Sequence, residues 1–240
     1  MSFDPSASGL THLLPIFGIW YIVFLFSTVA HEAAHGWVAH LGGDSTAYTG
    51  GQVTLDPLVH IRRTPWGMVL IPVLSFFQTG WMMGWASVPF DPEWAKRYPR
   101  RQALMSLAGP AANFALALLG ILIIKLLLGA HVFDVPYRPG FTQLVRQAGE
   151  PQAGSLINGL AMALSVLVNL NVLLGLFNLL PIPPLDGAGI VGGLFPNSLG
   201  KLYDYMREIP MLQFVGLLVA WNIFPVRSAL EFVIGLVHSG

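Results

Sequence analysis

Apolar positions in this chain come as long unbroken runs, not as the alternating or one-faced patterns of soluble domains. A helix needs about 20 mostly apolar residues to cross bilayer hydrocarbon, and five stretches qualify by length. Leu13–Ala30 carries no charge and continues helically to about Leu41, where Gly42-Gly43 supplies a stop. Thr64–Phe90 is also uncharged but is broken by Pro72, Gly80 and Gly84. Ala103–Ile124 and Ser155–Leu180 are clean, the second ending at a proline cluster. Met211–Val226 is clean, and its pattern runs past Pro225 to about Val237 despite Arg227 and Glu231. The pattern predicts an all-α polytopic membrane protein.

Composition strengthens this picture. Hydrophobic residues make up 54% and charged residues 10%, with mean hydropathy +0.64, against about 25% charged in a soluble domain. A water-soluble globule could not cover its surface with so few charges. Lys+Arg and Asp+Glu are 12 each, so the net charge is zero and nucleic acid is not an expected partner. The absence of cysteine excludes disulfides, thiolate zinc sites and thiol catalysis, so a metal would have to sit on His, Asp, Glu, Asn or main-chain oxygens. Ahead of Leu13 there is no basic residue, so the first apolar run reads as a retained helix and not as a cleaved leader. The polar stretches are too short for a second folded unit, and 1–240 reads as one domain.

The first apolar helix holds an anomaly. After eighteen uncharged residues come His31-Glu32-Ala33-Ala34-His35. Ionisable groups inside a spanning helix are costly and point to function. His31 and His35 are one turn apart, so both imidazoles share a face and can hold one zinc ion. Glu32, beside the first of them, can reach a metal-bound water. Chance gives H-E-x-x-H in a chain with this composition about 0.4% of the time. A third ligand is needed. His40 lies on another helical face and His60 lies past a Gly-rich turn, where a structural hydrogen bond is its simpler role. The strongest candidate is Asp186, in Asn178-Leu-Leu-Pro181-Ile-Pro183-Pro184-Leu185-Asp186-Gly187. Taken alone, that segment is explained equally well as a turn at a membrane boundary, since Pro and Asp-Gly are turn formers.

Together the two motifs resemble the site-2 protease family of intramembrane zinc metalloproteases. The match includes Gly109-Pro110-Ala111-Ala112-Asn113 in the intervening helix and extends from about Leu13 to Gly193. The resemblance implies one zinc ion held by His31, His35 and Asp186, with Glu32 as general base and Asn178 beside the substrate path. It implies a transmembrane protein or peptide as substrate, and a small membrane-associated β-hairpin at Thr46–Leu58. It also implies the short prokaryotic type, with no PDZ or CBS domain.

A shared zinc places the C-terminal ends of 13–41 and 155–180 on one side of the bilayer, so these helices run parallel and an odd number of crossings separates them. Four spanning helices then follow, at about 13–41, 103–129, 155–180 and 211–237. The broken segment 64–90 is re-entrant, with its backbone breaks buried. Arg62, Arg63, Lys96, Arg97, Arg100, Arg101, Lys201 and Arg207 lie on the zinc side, against Arg138 and Arg146 on the other. This asymmetry predicts a plasma-membrane protein with its active site toward the cytosol and both termini outside. His35 stands six residues before Leu41, roughly 9 Å inside the helix end. Two rival readings are a metal-ion or small-solute transporter built on the same cluster, and a non-catalytic scaffold for membrane helices.

Overall fold

The structure is a computed structural model and describes residues 10–149 and 155–238. The N-terminal segment ahead of the first helix, and part of the 134–154 loop, lie outside the described residues. The first helix, α1 (Leu10–Leu41), is followed by short helices α2 (Thr46–Thr49) and α3 (Pro57–Arg63). A π-helical turn at Trp66–Leu70 runs into α4 (Ile71–Thr79), and α5 (Pro92–Arg97) leads into the long α6 (Pro99–Gly129). Strands β1 (Phe133–Asp134) and β2 (Arg146–Gln147) pair antiparallel before α7 (Leu156–Asn178). Then come α8 (Asp186–Leu194), α9 (Lys201–Glu208), α10 (Pro210–Ile223) and α11 (Val226–His238).

Among the described residues three helices, α1, α6 and α7, are long and apolar enough to cross a membrane, or four spans if α10 and α11 count as one. The protein is therefore a multi-pass membrane protein. Residues 211–237 do not form one straight helix. The axis bends by 54° between α10 and α11, at Phe224-Pro225, because Pro225 has no N–H to bond back and forces Phe224 into an extended conformation.

Of the three long helices, α6 packs antiparallel to both α1 and α7. His31 meets Asn113 while His35 meets Met105, so α6 runs against α1. Gly120 packs on Val168 while Gly175 packs on Phe114, so α7 runs against α6 and parallel to α1. One apolar cluster joins Ala117 and Ile124 of α6 to Val168 and Val172 of α7 and Val233 of α11. Another joins Trp20 and Phe24 of α1 to Phe76 of α4 and Val166 and Leu170 of α7.

The segment between α3 and α5 goes out and comes back. Trp85 N–H donates to Gly67 O at 3.1 Å and Arg63 Nε to Ser87 O at 3.0 Å, so its two ends lie together. Gly84 packs on Gly67 O and on Phe24 and Pro72, where any side chain would collide. The backbone breaks noted at Pro72, Gly80 and Gly84 are thus what allow the turn-back. Gly80 sits at φ 81° and caps α4.

One sequence expectation is corrected. Thr46–Leu58 forms no β-hairpin: it is the helical turn α2, a glycine turn and the start of α3. Among the described residues the small sheet is instead β1–β2. Local capping outweighs the β-preference of Thr46, Tyr48 and Val53. Asp44 accepts from Thr46 N–H, and Asp56-Pro57 starts α3, with Asp56 accepting from Leu58 N–H at 2.9 Å. The segment still lies beside the first helix, with Ala47 and Val53 seated on Gly36.

Asp44 also ties the loops together. Its buried carboxylate accepts from Thr46 N–H at 2.9 Å, from the Thr46 hydroxyl, and from Asp91 N–H at 2.8 Å. Trp94 Nε1 and Arg101 Nη1 both donate to Gly42 O at 3.0 Å. Loops 42–63 and 91–102 therefore occupy one end of the bundle. Burial works to raise the Asp44 pKa, but the three hydrogen bonds outweigh it and the net shift is downward. A lowered folded value stabilises above the ordinary carboxylate range and is lost as pH falls through the folded value. Asp44→Ala is expected to cost about 1–3 kcal/mol near neutral pH by orphaning the two N–H groups. The difference in melting temperature from wild type, read in detergent across a pH series, should begin to narrow only below about pH 4 and shrink further as pH falls.

Candidate metal centre

His31 and His35 project from the same face of α1, and their Nε2 atoms are 2.9 Å apart. Asp186, the first residue of α8, places Oδ2 3.1 Å from His31 Nε2 and Oδ1 3.3 Å from His35 Nε2. The three ligand atoms all lie within 4.8 Å of one another. Both histidines are buried and Asp186 is partly so. Asp186 reaches this point because prolines 181, 183 and 184 end the α7 run and Gly187 lets the turn close. A side chain at Gly187 would collide with the carbonyls of Leu179 and Leu180.

The outer nitrogens decide what the inner ones can do. His35 Nδ1 lies 2.7 Å from Met105 O. A main-chain carbonyl only accepts, so Nδ1 carries the hydrogen and Nε2 of the neutral ring presents a lone pair. His31 Nδ1 lies 2.6 Å from Asn113 Oδ1, with the same consequence. Two imidazole lone pairs and a carboxylate thus converge in a buried volume, and Asp186 Oδ2 has no hydrogen bond there. Such a set is satisfied by a cation. Two nitrogens and one carboxylate oxygen also fit the three-ligand set of a catalytic zinc. The seat is shaped by Gly109 of α6, whose missing side chain leaves room against both Nε2 atoms.

Glu32 is buried on the same turn and close enough to His35 to act on it electrostatically. Among the described residues nothing bonds its carboxylate. Asn178 is not drawn into the cluster. Its amide donates back to Leu174 O at 3.0 Å, one turn earlier in α7. His60 is buried, with Nε2 on Thr54 O at 3.1 Å, which pins α3 to the preceding loop. The sequence places Gly109 and Asn113 in one motif but gives Asn113 no role at the histidines. Met105 acts through its main chain, which leaves no signal in residue type.

A methyl group at Gly109 would overlap both ligand nitrogens while favouring the helix. Gly109→Ala is expected to keep the fold and lose at least tenfold in metal affinity, as measured by chelator competition. Gly129→Ala is the control, since nothing lies within 4 Å of that position.

The profile of Peptidase family M50 matches residues 19–221. "Putative zinc metalloprotease YwhC" of Bacillus subtilis (strain 168) is 34% identical over 213 residues, covering 87% of this chain and 85% of that protein. "Putative zinc metalloprotease Rip2" of Mycolicibacterium smegmatis is 32% identical over 175 residues, covering 72% of this chain and 56% of that protein. No solved structure matches. The chain belongs to peptidase family M50, the site-2 protease family of metalloendopeptidases.

Proposed function

We propose that this protein is an intramembrane zinc protease that cleaves peptide bonds within or near transmembrane segments of other proteins. His31, His35 and Asp186 hold one zinc ion, and Glu32 is the general base. The observation that supports this best is the convergence of three metal-binding atoms with both imidazoles turned inward, on the turn that carries Glu32. When bound, zinc supplies an acidified water and polarises the scissile carbonyl. Glu32 then takes a proton at its carboxylate and returns it to the leaving amine. His31 and His35 keep their Nδ1 hydrogens on α6 throughout. Asn178 borders the substrate path at the end of α7, its amide able to exchange Leu174 O for a substrate carbonyl.

A helical substrate hides its amides in its own hydrogen bonds, so the cleaved stretch must unwind before it reaches Glu32. Residues 46–58 form helical turns and offer it no strand edge.

The single domain sits in the plasma membrane with spans at about 13–41, 103–129, 155–180 and 211–237, the last one broken at Pro225. Segment 64–90 is re-entrant, which the pairing of its two ends supports. The basic residues gathered at the metal end support a cytosolic active site with both termini outside.

Glu32→Gln is expected to retain zinc and to lose cleavage of a transmembrane reporter by about 10²–10⁴-fold. Full cleavage by that variant would remove Glu32 from the chemistry. The chain has no cysteine, so single cysteines map sidedness cleanly. Leu55→Cys and Glu93→Cys should react with an impermeant maleimide only from the cytosolic side, and Tyr137→Cys only from outside. Labelling of positions 55 and 93 from opposite sides would overturn the re-entrant segment.

A further inference from the structure

The orientation of His31 is set by two asparagines on two other helices. Asn171 is fully buried in α7. Its Nδ2 donates to Leu167 O and to Ser27 Oγ, both at 2.8 Å. Leu167 O is a main-chain acceptor, so that end of Asn171 is its nitrogen and Oδ1 faces the other way. Oδ1 accepts from Asn113 Nδ2 at 2.8 Å. This leaves Asn113 Oδ1 facing His31 Nδ1 at 2.6 Å. Each group in the chain fixes the next, starting from a carbonyl that cannot turn round. His31, Asn113 and Asn171 are all buried.

We propose that Asn171 and Asn113 form a two-amide relay that locks His31 in its Nδ1–H form, the neutral form whose Nε2 can bind a metal. Both are then positioning residues of the metal centre. This inference rests on the reading of His31, His35 and Asp186 as the zinc site. His35 needs no relay, because the Met105 carbonyl has only one chemistry to offer. An asparagine side chain has two. Without Asn171, the Asn113 amide keeps only its long contact from Nδ2 to Ser27 O, at 3.5 Å, and can turn over to present Nδ2 to His31. The ring would then carry its hydrogen on Nε2, inside the metal seat. The relay also joins α1, α6 and α7, so the packing of α7 against the other two helices enters directly into metal affinity.

The test is zinc affinity of the purified full chain in detergent, by chelator competition, for wild type and for His31→Ala, Asn113→Leu, Asn171→Leu and Asn171→Asp, with melting temperature as a separate readout. Asn113→Leu and Asn171→Leu are expected to bind zinc about 10–100-fold more weakly. Asn171→Asp still accepts from Asn113 but no longer donates to Leu167 and Ser27 through an amide. It should therefore melt at a lower temperature yet keep its zinc affinity within about threefold of wild type. Asn171→Leu binding zinc as wild type does, while His31→Ala loses it, overturns the relay alone. Asn171→Asp losing as much affinity as Asn171→Leu also overturns it, since both would then report only lost packing. Zinc binding that survives His31→Ala overturns the metal-centre reading itself, and the relay with it.

Discussion

Two imidazole lone pairs and a carboxylate facing one another in a buried space are unfavourable without a cation between them, and this crowding is the constraint around which the protein is built. Burying an unsatisfied acceptor costs on the order of 1–3 kcal/mol, and here three converge within 4.8 Å. The surrounding elements act to prevent the cluster from relaxing. Met105 O and Asn113 Oδ1, two turns apart on α6, hold the outer nitrogens of both rings. Gly109 stands between those two residues in sequence and gives up its side chain to the space the ligand atoms face. One helix therefore both orients the ligands and shapes the seat.

The same constraint explains the order of the bundle. Asp186 can reach the histidines only if α7 ends where α1 ends, which makes α1 and α7 parallel and leaves α6 to run between them. That arrangement uses a single return crossing, so the apolar stretch before α6 has to double back. Its glycines and Pro72 provide for this, and Gly84 lies directly on Gly67. The loops that follow are gathered at the metal end by Asp44 and Gly42, whose bonds run to Asp91, Trp94 and Arg101. Charge is scarce in this chain, and much of it is used at this end.

The parts legible in the sequence were those where residue type alone states a cost or a period. His31 and His35 stood out because ionisable groups are expensive in an apolar helix and their spacing is one turn. Asp186 stood out as an acidic residue after a proline cluster, and its place became firm only beside the first motif. The long spans followed from apolar length, and the turn-back of 64–90 from its breaks. The hairpin that the resemblance implied at Thr46–Leu58 does not form, because Asp44 and Asp56-Pro57 cap helical turns at close range. The bend at Phe224-Pro225 was passed over because hydropathy is blind to a missing N–H. Asn113 stood inside the 109–113 motif, but its coupling to Asn171 spans 58 positions and depends on how α6 and α7 pack. The Met105 carbonyl could not be read from any side chain.

The way the ligands are held also bears on what the cluster is for. A transporter has to release its ion to both sides in turn, so its ligands need freedom to change partners. Here each imidazole is fixed at its outer nitrogen by a neighbouring helix, and the seat is fitted by a glycine whose replacement would collide with both rings. The carboxylate comes from the start of α8, whose approach is fixed by Gly187 against the Leu179 and Leu180 carbonyls. Ligands held this firmly suit an ion that stays. Glu32, a buried carboxylate next to His31, has no hydrogen-bond partner among the described residues. A firmly held ion with a carboxylate beside it is the arrangement that the proposed peptide hydrolysis requires.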